Sequence, residues 1–403
     1  MGRSLAGRIG EQLRGTGRHL RLAWPVFVIF LLQRLLTVAI VHQEGGGLHE
    51  LTNRWDAGWY LRLVEGGYVY PNLGPDGSAR ASNLAYFPLF PLLVRWAGGT
   101  GLLTPSQALI VVSWLGGLLA VWAIFAVGHA LHGRTAGIAL AALWGMAPPS
   151  LTLTMGYPEG MFTAAAGATL LCLIRRRPVW AGACALVAGL LRPSAVAVVA
   201  MVGAYLLVEL WRWRTRRGPG ADGVPRPAGS ARHHDEDPGP PTRAFLGAVL
   251  STLGLGAFMV YVGVRTGEVF GYFTVQRQWG QQSAGFTEYW QGIQRGLFDS
   301  PSASLIPVAV VVSMGYLLLF CLIVFDRRLG WASVYAAGIL AISLTHITFQ
   351  HVYPRQLLPA FVLLIPLVRM RIPRIGAIAA LTLGSILMSW GSAQFLLERG
   401  TGM

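Results

Sequence analysis

The sequence predicts an all-α polytopic membrane protein, and three observations carry that reading. The 403 residues are 54% hydrophobic and only 12% charged, with a positive mean hydropathy, whereas an ordinary soluble chain is about 25% charged. The apolar residues gather in runs, several of them long enough to cross ~30 Å of hydrocarbon as a helix. The arginines punctuate these runs, so the formal charge of +15 is better explained by membrane topology, with membrane lipids as partners, than by a basic surface for nucleic acid. All 32 basic residues are arginine, and the abundance of Ala, Gly and Pro fits a GC-rich genome and hence a bacterial cell membrane.

Residues 1–21 carry Arg3, Arg8, Arg14, Arg18 and Arg21 with no apolar core or small-residue cleavage site, which predicts a basic cytoplasmic tail. A single transmembrane domain is expected over 22–403. Its first span runs from about Leu22 to Val41, and a long hydrophilic loop, 43–104, follows.

Within that loop, Asn53–Tyr68 predicts a short tryptophan-rich helix. Trp55, Trp59 and Leu63 fall on one face, with Asp56 and Tyr60 on the neighbouring face, and Gly66 and Gly67 end it. Such a helix suits a membrane surface, where an indole buries its ring and keeps its N–H wet. Asn83–Trp96 is apolar but too short to span, and Pro88 and Pro91 interrupt it, so an interfacial or re-entrant segment is expected.

The remaining apolar runs bring the expected total to about eleven spans. Cys172, Cys184 and Cys321 lie inside such runs and read as small core residues. The segment 214–242, rich in Gly, Pro and Arg, predicts a disordered cytoplasmic linker. Its histidines and acids, His233 to Asp237, show no metal-ligand spacing.

With the N-terminus inside, 21 arginines fall in inside loops and ten outside, the asymmetry expected of a correct orientation. On this topology the unexplained ionisable residues gather on the outer side. Asp56 lies in the first loop, Glu159 opens the fourth span, Arg192 precedes Pro193 at a span mouth, and His346, His351, Tyr353 and Arg355 precede the tenth span. Ionisable groups at span ends are costly unless paired or used. Two arginines suit a phosphate, and a carboxylate suits a general base acting on a hydroxyl. Asp56 also has a purely structural reading, as an N3 acid answering an Asn53 N-cap. Glu159 has one too, in the first turn after Pro158, and the arginines can snorkel at helix ends.

Arg54-Trp55-Asp56-Ala57, Tyr60, Gly67-Tyr68 and Asn83-Leu84-Ala85-Tyr86-Phe87-Pro88-Leu89-Phe90-Pro91 together resemble the PIG-V family of mannosyltransferases, which have the GT-C glycosyltransferase fold. Weaker matches lie at Tyr157-Pro158-Glu159, Leu191-Arg192-Pro193-Ser194 and Pro354-Arg355-Gln356-Leu357. The resemblance implies inverting transfer of mannose from a polyprenyl or dolichyl phosphate mannose donor to a glycolipid or lipid-linked glycan acceptor, on the extracytoplasmic side. Eukaryotic members of the family act in the endoplasmic reticulum on the glycosylphosphatidylinositol precursor.

On this reading Asp56 is the base, and Arg192, Arg355 and His351 bind the donor phosphate. Trp55, Tyr60, Glu159 and Tyr86 bind substrate, and no metal or cofactor is called for. A transporter or flippase of a lipid-linked sugar, or a non-catalytic membrane scaffold, would share the outward charges. The transporter reading expects internal repeats and midplane charges, which the sequence lacks.

Overall fold

A computed structural model describes residues 5–73, 80–216, 240–279, 306–326, 329–345, 353–369 and 374–398, with Gln291 and Gln294. His346, His351 and most of the 214–242 linker lie outside the described residues. The described helices are α1 (Leu5–Gln43), α2 (Leu48–Asn53), α3 (Trp55–Gly66), α4 (Leu89–Gly98), α5 (Pro105–His132), α6 (Arg134–Gly145), α7 (Glu159–Ile174), α8 (Pro178–Gly189) and α9 (Ala195–Arg216). They continue with α10 (Thr242–Thr266), α11 (Gly271–Gln278), α12 (Ile306–Val324), α13 (Gly330–Thr345), α14 (Tyr353–Leu357), α15 (Ile365–Val368) and α16 (Arg374–Glu398).

Five of these helices contain a stretch long and apolar enough to cross a membrane: Leu22–Gln43, Pro105–His132, Ala195–Thr215, Thr242–Thr266 and Ile375–Leu397. The chain is therefore a multi-pass membrane protein. The other apolar runs also carry helices, but shorter ones. The 12-residue α6 is only about 18 Å long. It is continued by a buried 3-10 turn, Pro148–Leu153. Irregular backbone of this kind is tolerated in a membrane protein when other protein surrounds it. The helix of the first span extends back to Leu5, through most of the residues assigned to the basic tail.

Packing follows from small residues and polar side chains. Helix α8 lies against α10 with backbones almost touching: a Cβ on Gly182 would sit 2.2 Å from Gly247 O, and one on Gly254 only 2.0 Å from Leu186 O. In hydrocarbon such close approach replaces the hydrophobic drive that water supplies elsewhere. Hydroxyl and amide groups join α1 to α16, with Gln33 Nε2 donating to Ser385 Oγ and Thr37 Oγ1 to Ser389 Oγ, both at 3.0 Å.

Arg34, 2% exposed, is an interior rivet. Its guanidinium donates to Gly145 O at the end of α6, to Ser150 O in the 3-10 turn and to Thr154 Oγ1. These bonds satisfy backbone carbonyls that no helix ladder reaches. They also fix the segment that leads into Tyr157 and Glu159.

The first loop departs from expectation at one point. Asn53 is the last residue of α2, not a cap for α3, and its amide donates to His49 O and Thr52 Oγ1. The N-cap of α3 is Arg54, which makes no side-chain capping bond. The sharp corner between the two helices is taken by Trp55 at φ +49°, a left-handed conformation unusual for a bulky residue. Its indole stacks on Phe395 of α16 at 5.2 Å, so it packs against protein and anchors the loop to the last helix.

Candidate active site

Asp56 is the second residue of α3, and both of its carboxylate oxygens are engaged. Oδ1 accepts the Tyr86 hydroxyl at 2.9 Å. Oδ2 meets Arg355 Nη2 at 2.6 Å. The capping-box reading of Asp56 therefore fails in its geometry, because it stands at N2 behind an uncapped Arg54 and its oxygens face away into a side-chain network.

Tyr86 reaches Asp56 because the segment before it is pinned. Asn83 closes a two-way bond with the end of α3, its Nδ2 donating to Gly67 O at 2.8 Å and its Oδ1 accepting Val69 N at 2.9 Å. Ser82 Oγ donates to Val69 O, and Tyr68 Oη donates to Tyr86 O. These bonds explain why Asn and Tyr stand three residues apart in the Asn83–Tyr86 stretch: one locks the loop and the other reaches Asp56.

Three further elements complete the cluster. Glu159, fully buried, is the first residue of α7 and pairs with Arg192, from the turn between α8 and α9, and with Arg355 Nε at 3.3 Å. Arg355 stands on α14. The turn that follows it is held by Trp144 Nε1 donating to Leu358 O and Tyr335 Oη donating to Pro359 O, each at 2.9 Å. The Arg355 guanidinium also lies 5.1 Å from the centre of the Tyr157 ring, a cation–π distance. The result is a chain of charges, Asp56–Arg355–Glu159–Arg192, drawn from four separate parts of the sequence.

Burial sets the chemistry of the surrounding phenols. Burial first, and the nearby Asp56 charge second, push Tyr86 and Tyr157 far above the usual tyrosine range, so both remain neutral hydrogen-bond donors at any working pH. Tyr60, one turn along from Asp56, is raised by burial as well.

The cluster forms one wall of a cavity of about 980 Å³. Asp56, Tyr60, Tyr86, Glu159, Arg192 and Arg355 all line it, whereas Trp55 does not. Of the residues assigned to the base, phosphate-binding and substrate-binding roles in the sequence, only His351 falls outside the described chain. The rest of the lining includes apolar residues, among them Val196, Leu255, Met259, Val269, Phe270 and Phe273. Of these, Val269 is 90% exposed and Phe270 72%, so this part of the lining opens outward.

Several lining residues were given no role by sequence reasoning, namely Gln276, Arg277 and Trp279, while Tyr157 and Gln356 entered only as members of the weaker motif matches. Trp279 stands edge-on to Trp59 at 4.7 Å and to Tyr86 at 5.5 Å, and its Nε1 donates to Ser82 O at 2.8 Å. No local pattern announces such docking. The amide oxygens of Gln276 and Gln356 and Oε2 of Glu159 are buried without a hydrogen-bond partner among the described residues. Orphan acceptors of this kind at a cavity wall suit a ligand rich in hydroxyl donors.

These features define a multi-pass helical membrane protein with a partly apolar cavity lined by a paired cluster of acids and arginines. No family model matches the sequence. Over 129 residues the chain is 33% identical to the GPI alpha-1,6-mannosyltransferase 2 of Rattus norvegicus, a stretch covering 29% of this chain and 23% of the rat protein. The Cricetulus griseus enzyme of the same name is 32% identical over 142 residues, covering 32% of this chain and 26% of that protein. The chain thus spans about a quarter of the length of the curated relatives it matches.

Among solved structures, it is similar to ArnT from Cupriavidus metallidurans bound to undecaprenyl phosphate, with a TM-score of 0.49 and 16% identity over 89% of this chain and 62% of that one. It is also similar to the apo oligosaccharyltransferase of Archaeoglobus fulgidus, with a TM-score of 0.48 and 12% identity over 92% of this chain and 56% of that one.

Proposed function

We propose that this protein is a membrane glycosyltransferase of the GT-C type that transfers mannose from a polyprenyl phosphate mannose donor to a hydroxyl of a glycolipid or lipid-linked glycan on the extracytoplasmic side. The observation that carries the reading is Asp56, held on one oxygen by Tyr86 and on the other by Arg355 at the wall of a large cavity. The sequence similarity to GPI alpha-1,6-mannosyltransferase 2 supports it.

A carboxylate has roughly four lone-pair sites, so two engaged oxygens still leave capacity to accept a third proton donor. Asp56 takes the proton of the acceptor hydroxyl as that oxygen attacks the anomeric carbon. The bond from the anomeric carbon to the phosphate oxygen breaks, and the phosphate departs with the electron pair. Attack opposite the leaving group turns a β-linked donor into an α-linked product. Arg355 and Arg192, whose charges are balanced by Asp56 and Glu159, donate hydrogen bonds to the departing oxyanion. The orphan acceptors on Gln276, Gln356 and Glu159 bind sugar hydroxyls, and the apolar wall lets the lipid tail remain in the bilayer.

The test is transfer of radiolabelled mannose from polyprenyl phosphate mannose to a glycolipid acceptor by purified protein, with Asp56→Asn alongside. Losing a general base costs ~10² to 10⁴-fold in rate. A folded Asp56→Asn protein that keeps half the parent rate would rule Asp56 out as the base.

A further inference from the structure

The charges that line the cavity do not cancel. Asp56 and Glu159 supply two formal negative charges, and Arg192 and Arg355 two positive ones. These four are paired with one another: Arg355 with both acids, and Arg192 with Glu159. One more cation lines the same cavity, Arg277, the seventh residue of α11.

Arg277 is exposed, and among the described residues no carboxylate pairs with it directly. Its Nη2 donates to Thr274 Oγ1 at 3.0 Å, and that hydroxyl donates in turn to Glu268 Oε2 at 2.5 Å. The guanidinium is therefore held in place with no carboxylate in direct contact among the described residues. Helix α11 is itself fixed to the Asp56 side of the cavity through Trp279, whose indole is tied to Ser82 O and packed on Tyr86.

We propose that Arg277 is a substrate-binding residue that takes the negative charge of a lipid phosphate at the mouth of the cavity. This deepens the glycosyltransferase reading and rests on it for the identity of the ligand. A phosphate entering the paired cluster alone would bring a net negative charge into a partly dry site, which is unfavourable unless a cation accompanies it. Arg192 and Arg355 offer hydrogen bonds there, but their charge is already spent on Asp56 and Glu159. Arg277 supplies the missing unit. It also stands four residues after Phe273 and seven after Phe270, whose rings are exposed, which sets its cation beside apolar surface suited to a lipid tail.

The probe is farnesyl phosphate, with farnesol as its uncharged counterpart, titrated against the detergent-solubilised full chain by tryptophan fluorescence. The parent protein is expected to bind the phosphate more tightly than the alcohol. Arg277→Gln should weaken the phosphate about tenfold and leave farnesol unchanged, Arg277→Lys should stay within about threefold of the parent, and Arg265→Gln, an exposed arginine outside the cavity, should match the parent. Thermal unfolding confirms that each variant is folded.

Equal phosphate binding by Arg277→Gln and the parent overturns the assignment, as does a parent that does not distinguish the two probes. The outcome separates from that of the enzymatic reading. Phosphate binding that depends on Arg277 in a protein that transfers no sugar would leave the assignment standing and remove the glycosyltransferase reading. Normal transfer with an unchanged KM in Arg277→Gln would do the reverse.

Discussion

The Tyr86 hydroxyl donates to Oδ1 of Asp56 at 2.9 Å from thirty residues further along the chain. That bond ties a short loop motif to the carboxylate proposed as the base. It orients the carboxylate while leaving Arg355 the other oxygen. A hydrogen bond to a charged group is worth ~1.5–3 kcal/mol, so Tyr86→Phe should lower kcat by about 10 to 100-fold with a smaller change in KM.

The pH dependence of the same residue has a definite sign. Burial, then Asp56, raises the Tyr86 phenol well above its unfolded value, which is about 10. Protonated Tyr86 is therefore fully compatible with the fold below that pH, and stability is lost as pH rises above it, because only the unfolded chain releases the proton. Unfolding free energy in detergent should fall less steeply above pH 10 in Tyr86→Phe than in the parent, and activity between pH 7 and 9 should show no limb due to this phenol. An identical alkaline slope in the two proteins would mean that Tyr86 already ionises in the folded state.

Glu159 holds two arginines at once while fully buried. Glu159→Gln leaves Arg192 with no carboxylate and Arg355 with Asp56 alone. Breaking a buried ion pair on one side costs ~3–5 kcal/mol, more than removing both partners together. Glu159→Gln should thus lower the thermal midpoint clearly, and Glu159→Gln with Arg192→Met should recover part of the loss. A double variant less stable than the single one would show that Arg192 has another anchor.

The parts of this architecture legible in the sequence were those with a periodic or compositional signature. Hydropathy gave the apolar helices, and the expected parity of the runs between Asp56, Glu159, Arg192 and Arg355 put these four on one side, and the structure brings them into one network. Asn53 was misjudged because a good N-cap residue also ends a helix well, and only the left-handed turn at Trp55 separates the two helices. Arg277, Gln276 and Trp279 could not be found by pattern. Their place in the cavity depends on α11 docking against the Ser82–Tyr86 loop, a contact between segments almost two hundred residues apart.

The seam between α8 and α10 makes a prediction about stability rather than chemistry. At Gly254 a Cβ would stand 2.0 Å from Leu186 O, while Gly256, two residues on, has nothing within 4 Å. Gly254→Ala should destabilise by at least ~1–3 kcal/mol, as overpacking does, and Gly256→Ala should be neutral or slightly stabilising because alanine favours the helix. Equal thermal midpoints for the two variants would mean that the helices part without cost.

The remaining prediction concerns which face of the membrane holds the site. Thr100 lies between α4 and α5, at the end of the bundle where Asp56 is found, and Thr215 lies in the last turn of α9, at the other end; both are exposed. The arginine asymmetry predicts the Thr215 end inside, and the proposed use of a lipid-linked donor on the extracytoplasmic side calls for the Thr100 end outside. Cysteines at the two positions, in a protein with Cys172, Cys184 and Cys321 replaced, should respond oppositely to an impermeant thiol reagent added to intact cells: Thr100→Cys labels at once, and Thr215→Cys only after the cells are opened. The reverse order would invert the topology and move the cavity to the cytoplasmic face, where the Asp56 chemistry would have to draw on a donor of that side. Labelling of both from outside would break the parity of the helices between α5 and α9, and with it the expected span count.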